Sequence, residues 1–183
     1  GGVPSHAWFD GTLTSAGTVS HELGHNFGLH HSHSQACSGE MPLSDGCVSV
    51  EYGDVLDRMG STAGGHFNSF QKEQLGWLDY GDSPVIETAD TSGSYTLEVY
   101  SAPTSGVKAI RIPRDEDPVS GQQRWYYLES RQAVGFDGFL ASSNYGASVM
   151  NGLTFRLGSW GNANSSYLLD LTPGSQYYDW RDL

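Results

Sequence analysis

The chain has 183 residues, 37% hydrophobic and 12% aromatic, with 21 acidic against 9 basic residues and a formal net charge of -12. That length suits one domain or a domain and a half, and the aromatic content supplies a core despite 24 glycines. The acidity argues against a nucleic-acid partner, whose phosphates attract basic surfaces, and no apolar run reaches the ~20 residues that span a bilayer.

Residues 1–13 read as an extended arm. Gly1-Gly2-Val3-Pro4 does not resemble a native start, so processing or truncation is expected, and Ala7-Trp8-Phe9-Asp10 reads either as an edge strand or as plain loop. A helix is expected from Thr14 or Ser15, both good N-caps, to Gly28. Val19, Leu23 and Phe27 recur every four residues and should form the stripe that faces the core. His21 and His25 are also four apart, so both point the same way and can reach one metal ion. Glu22 reaches the metal's water rather than the metal. Gly28 allows a left-handed exit from the helix, and the turn returns His31 as a third nitrogen ligand. Three protein ligands with a fourth position open is the layout of a catalytic zinc site. His30 and His33 flank the third ligand and read as surface or supporting residues, with His33 the fallback ligand.

Residues 34–50 read as a loop holding Cys37 and Cys47. A disulfide pinning this loop is the favoured reading, and it implies an oxidising, extracellular location. Free thiols and extra metal ligands are the alternatives. Asp54 and Asp57 precede Met59; they are expected to bond a metal-bound histidine, cap turns or bind calcium. His66 reads as a transition-state stabiliser facing the cleft or as a surface residue. A second helix is expected over Ser69–Leu75, with Asn68 as N-cap, Gln71 as its capping partner, Gly76 as the stop, and Trp77 and Leu78 packing it down.

Beyond Asp79 the pattern changes. Tyr95–Tyr100, Val107–Ile112, Trp125–Glu129, Leu153–Leu157 and Tyr167–Leu171 read as strands between Gly, Pro, Ser and Asn clusters. Residues 81–183 are therefore expected to form an antiparallel β-rich domain, with a sandwich as the suggested arrangement. Asp115-Glu116-Asp117 reads as a hairpin tip or a calcium loop.

His21, Glu22, His25, Gly28 and His31 match every defined position of H-E-x-x-H-x-x-G-x-x-H. With Met59 downstream, the chain resembles the metzincin clan of zinc endopeptidases. Tyr52-Gly53-Asp54, Asp57, Met59-Gly60, Phe67-Asn68 and Leu75-Gly76-Trp77-Leu78 resemble the gametolysin family within it. The likeness runs from about Ala16 to Leu78. It implies an α+β fold in which residues 1–80 are the C-terminal part of a metzincin-like catalytic domain, with active-site helix, Met-turn and second helix. It implies Zn2+ on His21, His25 and His31, with Glu22 as general base. Met59 would support the ligands from below, and the substrates would be proteins or peptides. The tyrosine that some metzincins place two residues after the methionine is Ser61 here and is not carried over. Clan members place a sheet before this helix, yet 20 residues precede His21, so an N-terminal fragment of the same precursor is an expected partner. The rival readings are a non-catalytic zinc-containing binding or structural module, or one fragment of a two-piece peptidase.

Overall fold

A computed structural model describes residues 5–9, 11, 15–37, 43, 46–61, 63–118 and 120–172. The suggested start at Gly1–Pro4, Asp10 and the alternative cap Thr14 lie outside them. Residues 5–9 carry no strand.

Local chemistry sets the first helix. Ser15 caps α1 (Ala16–Asn26) by accepting the Thr18 amide at 3.0 Å. Gly28 follows with φ +94°, a left-handed turn that a side chain resists. The expected core stripe does not face inward. Leu23 is 40% exposed and Phe27 54%, while His21 and Gly24 are the buried positions. The reason lies at Gly24, where a Cβ would run into the Met59 sulfur and the Phe67 ring. The bare backbone lets the glycine face sit tight on Met59, and the larger apolar residues turn outward.

The segment expected to be a loop is a hairpin. β1 (His33–Cys37) and β2 (Cys47–Val50) pair antiparallel, and a Cys37–Cys47 disulfide joins two register partners. Two short helices also appear, the first where the sequence places it and the second within the stretch expected to be β-rich. α2 (Ser69–Gln74) begins where Asn68 Oδ1 accepts the Gln71 amide at 3.0 Å. α3 (Gly146–Asn151) follows a 3-10 helix at Gly135–Ala141.

The remaining strands are β3 (Ile86–Thr88), β4 (Ala109–Glu116), β5 (Gln123–Glu129), β6 (Thr154–Ser159) and β7 (Asn162–Leu169). The fold is mixed α+β, with one seven-stranded sheet in the order β2-β1-β7-β6-β5-β4-β3. β4 to β7 form an antiparallel meander, while β3 joins β4 and β1 joins β7 in parallel. The described strands thus make one mixed sheet rather than an antiparallel sandwich, because β1 pairs in parallel with β7 and extends the meander. Tyr95–Tyr100 does not form a strand. The Glu98 amide bonds Val107 O and the Tyr100 amide bonds Ser130 O, so the segment divides its hydrogen bonds between two partners and builds no ladder.

Phe70 of α2 packs with Ile86, Tyr100, Ala109 and Tyr127 over the sheet. Burying a side chain of that size stabilises by about 1.5–3 kcal/mol. Leu78 joins that cluster, whereas Trp77 stays half exposed. Leu29, Met59 and Phe67 form a second cluster, beneath α1. Between the layers lies a buried ionic network. Arg156 bonds Asp54 and Glu129, and Arg131 bonds Glu129 and Asp137. Asp54 precedes Met59 by five residues, so this network ties the Met59 turn to β6.

Candidate metal centre

His21, His25 and His31 converge. Their candidate ligand atoms lie within 4.8 Å of one another, and the Nε2 atoms of His25 and His31 are 3.1 Å apart. The opposite nitrogen of each ring is taken. His21 Nδ1 lies 2.8 Å from Arg58 O, His25 Nδ1 2.9 Å from Leu29 O, and His31 Nδ1 2.7 Å from Glu51 Oε1. Each of these partners only accepts, so each Nδ1 carries the proton and donates it. Every Nε2 therefore presents a bare lone pair to the same point. Two such lone pairs at 3.1 Å repel unless a cation lies between them. Nitrogens about 2.0–2.1 Å from a tetrahedral zinc would be about 3.3 Å apart, which the spacing fits. Burial, with His25 and His31 nearby, lowers the His21 pKa against the opposing Arg58 hydrogen bond, and this favours the neutral, ligating ring. A His21, His25 and His31 group of this shape could hold a metal ion.

Three elements build the centre. α1 supplies the first two rings one turn apart. The Gly28 turn carries His31 back, and the backbone at Leu29 on the way takes the His25 proton. The third support comes from Glu51, just after β2. Met59 lies buried against Gly24, one residue before His25, and its carbonyl accepts the Ser32 amide at 3.2 Å beside His31. Its position under both halves of the motif fixes their separation.

Glu22 is half-buried beside His21, and its charge acts on both His21 and Tyr52. It is not among the converging ligand atoms.

Of the roles expected for Asp54 and Asp57, turn capping is the one the structure shows. Neither reaches a histidine. Asp54 accepts from Arg156 and from the Leu56 amide. Asp57 accepts from the Met59 amide at 2.6 Å, Ser32 Oγ at 2.9 Å and the Asn68 amide. They fasten the Met59 turn, and the carboxylate that orients a histidine is Glu51. With their oxygens so occupied, they do not offer a calcium cage. In the Asp115–Asp117 segment, Asp115 pairs with Arg114 and Arg124, and Asp117 accepts from Ser120 at a hairpin tip. Among the described residues, His21, His25 and His31 are the one group of three His, Cys, Asp or Glu side chains poised for a metal.

The other histidines divide. His30 is exposed. His33, the fallback ligand, sits buried in β1 against Tyr167, with ring centroids 5.0 Å apart. His66 is half-buried and is not among the converging ligands; its ring lies between those of Tyr100 and Phe136.

Two residues of the centre, Glu51 and Tyr52, were given no role there by the sequence reading. Glu51 pairs with His31 across 20 positions, a separation with no local signal. Tyr52 follows it with φ +61°, an unusual backbone for a residue with a side chain. Its ring lies 4.0 Å from that of His31 and 6.2 Å from that of His21, walling one side of the centre. Burial, then Glu51 and Glu22, raise its pKa, so the phenol keeps its proton. The readable signal was an aromatic residue immediately before Gly53-Asp54.

Compared with protein-family models, with curated proteins and with solved structures, the chain matches none. No helix among the described residues is long and apolar enough to cross a membrane.

Proposed function

We propose that the chain is a secreted, zinc-dependent endopeptidase of metzincin type, acting on protein or peptide substrates. The observation that carries this reading is the convergence of three Nε2 lone pairs, each fixed by an acceptor on its own Nδ1, beside a carboxylate that is not a ligand. The three-imidazole set suits zinc, and the resemblance described above favours it over copper or nickel. His21, His25 and His31 would hold the ion, with Met59 beneath them. Zinc so held supplies Lewis acidity, drawing the pKa of water toward ~7 and polarising a peptide carbonyl.

The chain's own residues do the rest. Glu22 takes the proton from the attacking water at its carboxylate and delivers it to the leaving amine. The acceptor on each Nδ1 fixes the tautomer and the orientation of its ring, so that Nε2 is the nitrogen offered to the ion. The Cys37–Cys47 disulfide stiffens the hairpin that ends at Glu51, the support of His31, and supports an extracellular, oxidising location.

Metal analysis and casein hydrolysis on one sample, with and without chelator, test the proposal. One zinc per chain and chelator-sensitive cleavage are expected. Glu22→Ala should abolish cleavage and keep the zinc, whereas His25→Ala should lose both. Cleavage retained in Glu22→Ala would overturn the mechanism.

A second reading is favoured by one observation. Leu23 and Phe27 are exposed on α1, and the Phe27 ring stands 6.0 Å from that of half-exposed Trp77. An apolar face there suits one piece of a two-piece peptidase, completed by an N-terminal fragment of the same precursor. Zinc without cleavage in the assay above, restored by a co-purifying fragment, would select it. A zinc-holding binding module that does not cleave remains the outcome if no fragment restores activity.

A further inference from the structure

Beside the metal centre lies a hollow of about 380 Å³, within the size range of small-ligand sites. Trp77 and Phe136 give it aromatic walls, and Arg58, His66 and Lys72 give it polarity. Two of the chain's nine Lys and Arg residues line this one hollow, and no Asp or Glu does, in a protein of net charge -12. An acidic chain that excludes its own carboxylates from a cationic cavity leaves room for a carboxylate from outside.

His66 sharpens the argument. Its Nδ1 lies 3.3 Å from Lys72 Nζ. An ammonium can only donate, so Nδ1 accepts and the ring proton sits on Nε2. That Nε2 is shielded from solvent and has no hydrogen-bond partner. A buried donor without an acceptor is rare and calls for a missing partner. Lys72 has the His66 ring as a neutral acceptor, but among the described residues no carboxylate pairs with it. Its nearest contacts are His66 and the Tyr100 ring, 4.3 Å away. The carboxylates behind it, Glu129 and Asp137, are already taken by Arg131 and Arg156. A second hollow of about 300 Å³ also shares His66, Lys72 and Trp77, so these three residues stand between two open spaces.

We propose that the hollow bounded by Arg58, His66, Lys72, Trp77 and Phe136 is a binding site for a carboxylate carried on an apolar stem. The carboxylate pairs with Lys72 beside the His66 ring, and the stem lies against Trp77 and Phe136. Burial and then Arg131 bring the Lys72 pKa down to about 8, and burial and then Lys72 bring that of His66 to about 4. Glu129 and Asp137 oppose both shifts without cancelling them. The hollow also touches the metal centre, because Ser20 and Arg58 line it, Ser20 precedes His21, and Arg58 O holds the His21 ring. A ligand seated there lies one residue from a metal ligand on two walls.

The carboxylate has two possible sources, an acidic side chain or a chain terminus. Calorimetric titration of the full chain with three probes separates them. N-acetyl-glutamate methylamide carries a side-chain carboxylate, N-acetyl-norvaline a terminal one, and N-acetyl-glutamine methylamide none. One carboxylate probe should bind at least tenfold more tightly than the glutamine probe, and the winner names the source. Its binding should shift the ring signals of His66. Lys72→Met should reduce the preference to within about twofold, and Lys72→Arg should keep most of it. Equal affinity for all three probes would sink the proposal. A preference that survives Lys72→Met would do so too, because it would place the carboxylate on the metal. If Lys72→Met does not fold, Phe136→Ala decides: Phe136 is 76% exposed, so folding tolerates its loss. That variant should bind both carboxylate and amide probes several-fold more weakly, and unchanged binding would overturn the site. None of these readouts depends on peptide hydrolysis.

Discussion

The histidine centre and the ionic network under the Met59 turn are both clusters of polar side chains held in place by the fold, and they are built on opposite terms. In the network each charge meets its partner within the protein. Arg156 and Arg131 bridge Asp54, Glu129 and Asp137, and all five are fully buried. Against burial, which raises it, Arg131 and Arg156 hold the Glu129 pKa down to about 2. In the centre the outer nitrogens are satisfied and the inner ones are not. Three lone pairs face one point and need something from outside. A closed cluster gives stability of position; an open one gives function. Changing one member of each should therefore produce different kinds of loss.

The largest effect is expected in the closed cluster. Arg156→Met fills the same space and leaves Asp54 and Glu129 buried without their cation. Breaking a buried pair in this way costs about 3–5 kcal/mol. Denaturant unfolding should show that loss, with metal affinity falling only as the folded fraction falls. A loss under 1 kcal/mol would mean that water enters the network, and the contrast with the centre would fail.

In the open cluster the corresponding change is Glu51→Ala. The Glu51 side chain is 63% exposed, so its removal should leave the unfolding midpoint nearly unchanged. It releases the His31 ring, and loss of such a support typically lowers metal affinity 10- to 100-fold, about 1.4–2.7 kcal/mol. Competition with a chromophoric chelator measures this directly. Unchanged affinity would show that Gly28 and the backbone alone aim His31.

What the sequence made legible follows the same division. The helix, its Ser15 cap, the Gly28 exit and the three histidines lie within 17 consecutive residues, and their spacing alone places them. The capping of α2 by Asn68 was local in the same sense. What escaped is set by distant contacts. The outward turn of Leu23 and Phe27 depends on Met59 meeting the bare backbone of Gly24. β1, His33-Ser34-Gln35-Ala36-Cys37, has no run of large apolar residues, and it is a strand because β2 and β7 pair with it on either side. Val99 offers the composition of a strand and finds only a single bridge to Ser130. Of the roles open to Asp54 and Asp57, turn capping is local and is the one found, whereas the ion pair of Asp54 was not legible because Arg156 is 102 positions away.

His66 stands between the two kinds of cluster, half-buried and with its Nε2 unpartnered, and its titration is the finest test of the contrast. Burial, then Lys72 and Arg131, lower its pKa to about 4, with Asp137 and Glu129 opposing. In the unfolded chain the ring titrates near its ordinary value of 6.5. Above pH 6.5 both states hold the ring neutral, and its contribution to stability is fully present. As the pH falls from 6.5 to 4 the unfolded chain binds a proton that the folded chain refuses, so stability is lost across that window and levels off below it. With allowance for solvent screening of a half-buried ring, the loss should be about 1–2 kcal/mol. His66→Asn removes it. Asp57, raised to about 7 by burial and by Asp54, acts with the opposite sign, losing stability as pH rises through 7. It is present in both chains and cancels in their difference, as do the triad histidines if chelator is added to both. The unfolding free energy of the native chain minus that of His66→Asn, measured between pH 7 and pH 4, should therefore fall by this amount. A flat difference would mean that His66 already has its acceptor, and the hollow beside it would no longer need a ligand.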